Sequence, residues 1–263
     1  MKNSRLLKRQ EAISLILAKS DWVSVRALAE ALGVSGWTVR RDLARMVQEG
    51  MVQRQHGAVS LAVPQLVPPF ETFEKRSREN LTAKKNIGWA AAQLLRPNQT
   101  VAIGAGTTST QVARGLARLS HKPLHIMTNA LNIAMELAQC PNLHVTCTGG
   151  DVRSDHYTLT GPVAERALRT HFYDVAVIGV SGVAVQEGLT VNGQLDSIAL
   201  QIMIEQSRRL IVVADSSKVG QVHFVHLAPL SKLDVMVMDR AAPPSFCKSL
   251  AQMDIELVIA DFA

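Results

Sequence analysis

The sequence Val34-Ser35-Gly36-Trp37-Thr38-Val39-Arg40-Arg41-Asp42-Leu43 decides how the first part of this 263-residue chain folds. Ser35 can cap a helix through its side-chain oxygen, and Val39 and Leu43 are spaced as on one buried helix face. Upstream, Gly33 can adopt the left-handed conformation that ends a preceding helix. A short helix, a tight turn and a second helix form the layout of a helix-turn-helix.

The segments on either side complete the pattern. A first helix is predicted over residues 4–19, and Ser24 is placed to cap the second helix. The residues predicted to face inward on the second and third helices are Val25, Leu28, Ala29, Leu32, Val39, Leu43, Met46 and Val47. After the third helix, residues 52–59 predict a two-stranded wing that turns at His56-Gly57. Together these elements predict a winged helix-turn-helix.

The outward face of the third helix is basic, which suits double-stranded DNA. Arginine can make bidentate contacts to guanine in the major groove, and a helix N-terminus can hold a phosphate. The side chains expected to contact DNA are Ser24, Ser35, Trp37, Thr38, Arg40, Arg41, Arg45, Arg54 and His56. Any single arginine here could instead be an exposed ion-pairing residue, with Asp42 as its partner. The agreement of caps, apolar stripe, basic face and wing favours DNA binding.

The charge distribution points the same way. Residues 1–60 hold ten Lys/Arg against five Asp/Glu, and residues 61–85 hold five against three. The remaining residues hold thirteen against fourteen, so positive charge concentrates where a polyanion would bind. No apolar run reaches the roughly 18 residues that cross a bilayer, and three cysteines without metal-ligand spacing are typical of a reduced compartment. We therefore expect a cytoplasmic, nucleoid-associated protein that uses no membrane.

The quoted stretch, followed by Gly50 and Arg54-Gln55-His56-Gly57-Ala58, resembles the DeoR family of bacterial regulators. Their helix-turn-helix reads VS-x-x-T-[IV]-RRDL, and their wing ends in HGG or HGA. The resemblance implies a transcriptional regulator, most often a repressor of a carbohydrate or polyol catabolic operon that a phosphorylated metabolite relieves.

The chain is expected to contain two domains joined by a linker. Residues 61–80 include Pro64, Pro68 and Pro69 and then a charged run, which is typical of a stiff, extended connection. The predicted boundaries are 1–60 for the winged helix-turn-helix, 61–80 for the linker and 81–263 for an α/β domain that senses the effector and oligomerises.

In the C-terminal part, short apolar strands alternate with helical patterns. The strands are predicted near residues 100–103, 124–128, 144–147, 175–178, 210–214, 235–238 and 257–259. This alternation predicts an α/β fold with a parallel, Rossmann-like sheet, whose ligands gather at the carboxyl ends of the strands. The resemblance implies the same, because DeoR sensor domains are similar to sugar-phosphate isomerases.

Glycines, hydroxyls and a lysine follow the predicted strands. Each alone is typical of a tight turn or a helix cap, but together they favour a phosphate site in which N–H groups, hydroxyls and a cation converge. With Asp196, which the resemblance adds, the residues expected to bind the effector are Gly106, Thr107, Thr108, Ser109, Thr128, Asn129, Gly149, Gly150, Asp196, Asp215 and Lys218. This chain differs from its relatives at four positions. Relatives commonly have Asp in place of Gly104, an acidic residue in place of Gly193, Glu in place of Asp196, and Lys or Arg in place of Leu200. These differences change which hydroxyl pattern the site can pair.

Two readings of function remain at this point. The first is a homodimeric or homotetrameric repressor that binds operator DNA and a phosphorylated small molecule, without a cofactor or metal. The alternative is a sugar-phosphate isomerase or deaminase with a fused DNA-binding module, for which Asp196 and Asp215 are the candidate acid–base groups. Activation instead of repression is also open, since binding residues do not fix the position of an operator.

Overall fold

A computed structural model describes residues 2–17, 22–48, 51–55, 58–61, 73–119 and 122–261. The chain divides into two compact units, residues 1–70 and residues 71–263. Among the described helices, none combines the length and the apolar character needed to cross a membrane.

The first unit contains three helices and a small antiparallel sheet. Its elements are α1 (Lys2–Leu17), β1 (Val23–Ser24), α2 (Val25–Leu32), α3 (Gly36–Gln48), β2 (Val52–Gln55) and β3 (Ala58–Leu61). Strands β2 and β3 form the predicted wing, and β1 adds a third strand through the pair Val23–Val59, in the order β1-β3-β2. This unit is the predicted winged helix-turn-helix, and His56-Gly57, where the wing was predicted to turn, lie outside the described residues.

Local capping explains where α2 and α3 begin and where α2 ends. The Ser24 hydroxyl accepts a hydrogen bond from the Ala27 N–H at 3.1 Å, and Gly33 ends α2 with φ +62°. The Ser35 hydroxyl accepts from the Thr38 N–H at 3.2 Å. All three predicted caps are confirmed. They could be predicted because each depends on only a few consecutive residues.

The inward face of α3 differs from the prediction at one residue. Val39, Leu43 and Met46 are fully buried against α1 and α2, but Val47 is 42% exposed, so its predicted inward position is wrong. Eight residues advance a helix by about 80° beyond two full turns, which carries Val47 past the edge of the stripe that Val39 begins.

The second unit is built on a seven-stranded sheet in which every strand is parallel to its neighbours. The strands are β4 (Thr100–Ile103), β5 (Leu124–Thr128), β6 (Leu143–Cys147), β9 (Val175–Gly179), β12 (Leu210–Val213), β14 (Val235–Asp239) and β15 (Glu256–Ala260). Their spatial order is β6-β5-β4-β9-β12-β14-β15. Six of them follow the Rossmann order, and the order reverses between β4 and β9, which is where such folds bind ligands.

Helices cover both faces of this sheet. They are α4 (Phe73–Arg78), α5 (Leu81–Leu94), α6 (Thr107–Arg118), α7 (Leu131–Leu137), α8 (Pro162–Arg169), α9 (Gln194–Glu205) and α10 (Pro244–Gln252). In β4, Val101 and Ile103 pack into one core with α5 and α6, while Ala102 packs into a second core with α9. Burial of both faces confirms the predicted α/β architecture.

Two small antiparallel sheets were not predicted. One is the hairpin of β7 (Asp151–Arg153) and β8 (Thr158–Thr160). The other contains β10 (Gly182–Ala184), β11 (Gly188–Val191) and β13 (Val225–Ala228). Strands of three or four residues give too short an alternation to be distinguished from loops by sequence.

The predicted linker over residues 61–80 is too long at both ends. Leu61 is the last residue of β3, and Phe73–Arg78 form helix α4 of the second unit. The charged run in α4 is typical of a solvated segment, but Phe73 packs edge-on against Tyr157, with 5.2 Å between ring centroids, and so attaches α4 to the rest of the second unit. The three prolines lie outside the described residues.

Candidate nucleic-acid interface and effector site

The outward face of α3 presents an aromatic ring and exposed guanidinium groups. Trp37 is 66% exposed, and the Arg41 guanidinium lies 4.9 Å from the centroid of its ring, a cation–π contact that orients the arginine. Arg40 and Arg45 are also exposed on this helix. This surface can therefore offer several cationic, bidentate donors to a nucleic acid.

Asp42 does not pair with these outward arginines. It is 1% exposed and accepts a hydrogen bond from Arg9 Nε of α1. The carboxylate therefore attaches the buried side of α3 to α1, and the basic face of α3 remains exposed to solvent. The sequence suggested a neighbouring arginine as the partner of Asp42. The actual partner, Arg9, is 33 residues away along the chain, so local sequence gives no sign of it.

The three hydroxyl residues predicted to contact DNA lie at helix N-termini. Ser24 and Ser35 hold the first turns of α2 and α3, and the hydroxyls of Ser35 and Thr38 lie 2.9 Å apart. Arg54 is exposed on β2 of the wing, while His56 lies outside the described residues. The caps fix the helix N-termini that a DNA phosphate would approach.

In the second unit, the loop after β4 and the first turn of α6 form the centre of the candidate effector site. Gly106, with φ +144°, precedes the helix and has no side chain to cap it. The N–H groups of Thr107, Thr108 and Ser109 consequently have no acceptor among the described residues. The first backbone bond of the helix is from Thr110 N–H to Gly106 O at 2.9 Å.

Ser109 lies at the point where the strand order reverses. It is fully buried, and its Oγ has no hydrogen-bond partner in the described part of the chain. A Cβ at Gly179, the last residue of β9, would lie 3.4 Å from this oxygen. The ends of β4 and β9 therefore enclose free N–H groups and one unpaired hydroxyl, a combination that suits an anionic or hydroxylated ligand.

Asp215 follows β12, the next strand of the sheet. Its Oδ1 accepts from Asn80 Nδ2 at 3.0 Å, from Ser217 N–H at 3.1 Å and from the Ser217 hydroxyl. Its Oδ2 is buried and has no partner among the described residues. Lys218 lies in the same short 3-10 turn and is partly exposed. This carboxylate can therefore accept from a ligand hydroxyl while Lys218 supplies positive charge.

Lys84 is a part of this site that sequence reasoning missed. It is 4% exposed and lies on the same face of α5 as Asn80, one turn away, so it is close to the Asp215 loop. Burial lowers the pKa of Lys84, and the nearby Asp215 carboxylate opposes that effect. One signal was present: Lys84 stands on the stripe that carries Ile87 and Ala91, where a lysine is unusual.

Thr128 and Asn129 follow β5 beside the end of β4. The Thr128 hydroxyl donates to Ile103 O at 2.7 Å and accepts from Ala130 N–H at 3.1 Å, so it holds the two strand ends together. The Asn129 Nδ2 donates to Leu159 O at 3.4 Å, but its Oδ1 is buried without a partner in the described residues. Of this pair, Asn129 has an acceptor available for a ligand.

Gly149 and Gly150 lie farther from the centre. They follow β6, which is separated from β4 by β5, a distance of about 10 Å at normal strand spacing. Both have positive φ, and a Cβ at Gly150 would lie 2.4 Å from Thr160 O of the β7–β8 hairpin. Close backbone packing is thus a sufficient reason for glycine at position 150.

Asp196, at the start of α9, is occupied by protein donors. Its Oδ2 accepts from His156 at 2.8 Å and from Arg153 at 3.2 Å, and its Oδ1 accepts from Thr158 at 3.2 Å. Burial raises its pKa, but the His156 hydrogen bond and the Arg153 charge outweigh burial, and the net pKa is lowered. Asp196 therefore fastens α9 to the β7–β8 hairpin. Within the described residues, no three His, Cys, Asp or Glu side chains are placed to hold a metal ion.

Two of the positions at which this chain departs from its resemblance touch each other. A Cβ at Gly104 would lie 2.5 Å from Leu200 Cδ2 and 3.4 Å from Ile178 Cγ2. Leu200 therefore fills the space that an acidic side chain at position 104 would need. The part of the site formed by Gly104, Ile178 and Leu200 is therefore apolar.

The chain was compared with known proteins. The family models named DeoR-like helix-turn-helix domain and DeoR C-terminal sensor domain match residues 9–65 and 79–240. The HTH-type transcriptional regulator GlpR of Haloferax volcanii is 32% identical over 88% of this chain and 89% of its own length. A putative aga operon transcriptional repressor of Escherichia coli O157:H7 is 27% identical over 96% and 93% of the two chains. Among solved structures, ribose 5-phosphate isomerase A of Methanocaldococcus jannaschii is 16% identical, with a TM-score of 0.41, over 53% of this chain and 55% of that one.

Proposed function

The chain belongs to the DeoR family of DNA-binding transcriptional regulators, and we propose that it represses a carbohydrate or polyol catabolic operon until a phosphorylated metabolite binds at the β4–β9 edge. The observation that carries the effector half of this proposal is the buried, unpaired Ser109 hydroxyl beside the free N–H groups of α6. Among the described residues these groups have no partner, so their hydrogen-bonding capacity is available to an anionic or hydroxylated ligand.

Operator recognition is assigned to α3 and the wing. Arg40 and Arg41 reach base edges from a helix that Asp42 and Arg9 hold in place, and Arg54 contacts the DNA backbone. Because a two-fold dimer reads two half-sites, the operator is an inverted repeat with its halves about one helical turn, or a multiple of it, apart. The homodimer or homotetramer forms through the second unit, and the protein is nucleoid-associated in the cytoplasm.

Selection from a random duplex library by the purified chain tests the DNA half. We expect an inverted repeat to be enriched, and Arg41→Ala to weaken binding to it by about 1–3 kcal/mol, or about 5–150-fold. Arg26→Ala is the matched control, because Arg26 is an exposed arginine of α2 that forms an ion pair with Glu30 on the same helix. Equal loss in the two variants, or no enriched sequence, contradicts the assignment.

The chemistry of the site limits the effector. The α6 N-terminus, Lys84 and Lys218 favour an anion, whereas Asn129 Oδ1 and Asp215 Oδ2 accept hydrogen bonds and so favour hydroxyl donors. A phosphorylated sugar or polyol carries both groups. Residues 179–183, 204–208 and 242–244 also resemble the glycerol-3-phosphate regulon repressors of the family. Small polyol phosphates are therefore included among the compounds to be tested.

Thermal unfolding against phosphorylated sugars, polyol phosphates and their unphosphorylated parents tests the effector half. A ligand at about 100 times its dissociation constant stabilises the native state by about 2.7 kcal/mol. We expect a shift with one phosphorylated compound and none with its parent, and the same compound should release operator DNA in a gel shift. Stabilisation by the parent alone would remove the phosphate from the proposal, and turnover of the compound would favour the isomerase alternative. A promoter fusion in cells distinguishes repression from activation.

A further inference from the structure

Helix α4 is the first described helix of the second unit, and it directly follows the segment that leads from the DNA-binding unit. It has only six residues and none of them is buried. An isolated helix of that length is unstable in water, so its contacts with the rest of the unit decide whether it stays formed. It packs against α6, and hydrogen bonds and a ring contact hold its two ends.

The N-terminal end of α4 is held by the tip of the β7–β8 hairpin. Phe73 N–H donates to Asp155 O at 3.2 Å, its ring packs edge-on against Tyr157, and the Tyr157 hydroxyl donates to Glu74 Oε1. The same hairpin is fastened to α9 through Asp196. This end of the helix is therefore attached to a hairpin that is itself held by hydrogen bonds to α9.

The C-terminal end is held by Lys84, whose Nζ donates to Arg76 O at 2.6 Å. Two neighbours on the same face of α5 locate this lysine. Asn80, one turn before it, bonds to the Asp215 loop, and Gly88, one turn after it, packs on the backbone of Gln111 in α6. Lys84 thus lies between that loop and the first turn of α6, where the proposed anion binds.

We propose that Lys84 couples the two sites, because the anionic group of the effector draws its ammonium away from Arg76 O and so releases the C-terminal end of α4. This inference rests on the proposed effector site. The ammonium is attracted more strongly to an anion than to a neutral carbonyl, because the attraction between two full charges adds to the hydrogen bond, so the anion outcompetes the peptide oxygen. The hydrogen bond from Lys84 to the Arg76 carbonyl is then lost, and α4, the first described helix after the DNA-binding unit along the chain, frays at its C-terminal end.

Hydrogen exchange of the full chain, with inorganic phosphate as the probe, tests this coupling. Phosphate is raised until its stabilising effect on thermal unfolding saturates, and exchange in residues 73–78 is followed with and without it. We expect exchange there to accelerate several-fold while residues 100–103 of the sheet become no faster. If phosphate stabilises the protein but leaves α4 unchanged or slower, the coupling is wrong and the anion site stands. If phosphate never stabilises the protein, both the anion site and the coupling fail.

Three variants sharpen the result. Lys84→Met should exchange in α4 as fast without phosphate as the wild type does with it, and phosphate should add no further change. Lys85→Met is the matched control, since Lys85 is the next residue but is exposed, and it should behave as the wild type. Tyr157→Phe removes the hydroxyl at the other end and should speed basal exchange in α4 while leaving phosphate stabilisation unchanged. A wild-type phosphate response in Lys84→Met would overturn the proposal.

Discussion

Replacing Ser109 by alanine should stabilise the protein in the absence of ligand. Ser109 is fully buried and its hydroxyl has no partner in the described residues, so the folded state bears the desolvation cost of that group. Such a cost is about 1–3 kcal/mol. The space left by the substitution is small, because only one oxygen atom is removed. A cavity penalty therefore does not cancel the gain.

Urea and thermal unfolding measure this gain. In a unit of this size, 1 kcal/mol corresponds to about 2–4 °C, so the midpoint should rise by about 2–12 °C. Ser197→Ala is the matched control, because Ser197 is also a buried serine in the first turn of a helix, but its hydroxyl donates to Gln194 O at 2.6 Å. That variant should lose about 1 kcal/mol. The shared change in helix propensity cancels between the two substitutions.

The same substitution should weaken effector binding although it stabilises the protein. A stabilised Ser109→Ala protein should bind the effector about 5–150-fold more weakly, because the ligand loses about 1–3 kcal/mol of hydrogen bonding. Isothermal titration with the compound found in the thermal screen measures the ratio. A Ser109→Ala protein that is destabilised to the same extent as Ser197→Ala would refute the reasoning, since the hydroxyl would then be a satisfied structural group.

Three further substitutions probe the surrounding fold. Gly88→Ala should lower the free energy of unfolding by about 1–3 kcal/mol or more, because its Cβ would lie 2.3 Å from the Gln111 backbone. Gly36→Ala, with nothing within 4 Å of its Cβ, should not, and equal free energies of unfolding in the two variants would contradict this contact. Ser24→Ala should destabilise the first unit by about 1 kcal/mol, measured by circular dichroism, and a neutral result would exclude the cap. Because the pKa of Asp196 is lowered in the folded protein, its ionised form stabilises the fold fully above about pH 4, and this stabilisation is lost as pH falls through the folded pKa. Asp196→Asn should therefore have a smaller free energy of unfolding than the wild type at pH 7, and the difference should shrink at low pH. A difference that does not change with pH would argue against the ion pairs.

Features that depend on neighbouring residues were predictable from the sequence. Ser24, Gly33 and Ser35 each act on atoms within a few residues, so their caps were found correctly. The central strands were also found, because burial of both faces leaves continuous apolar runs such as Thr100–Ile103 and Leu210–Val213. Periodicity failed at Val47, where the stripe leaves the core.

Features that depend on distant residues were not predictable. The Arg9–Asp42 pair joins positions 33 residues apart, and the Tyr157–Glu74 bond joins positions 83 residues apart. Nothing in the local sequence of α4 indicates a helix that the sensor unit holds at both ends. Lys84 illustrates the same limit, because its importance comes from the meeting of α5, α6 and the Asp215 loop.

A comparison of Asp196 with Asp215 shows why the candidate site is better suited to binding a ligand than to stabilising the fold. Asp196 has three donors on its two oxygens and fastens two elements together. Asp215, Asn129 and Ser109 each keep one buried oxygen that has no partner among the described residues, although each such group costs about 1–3 kcal/mol. A ligand that pairs them recovers that free energy only in the arrangement where it binds. Coupling between effector and DNA typically needs about 1–3 kcal/mol, so the recovery from even one of these groups is large enough to shift the chain between DNA-bound and released states.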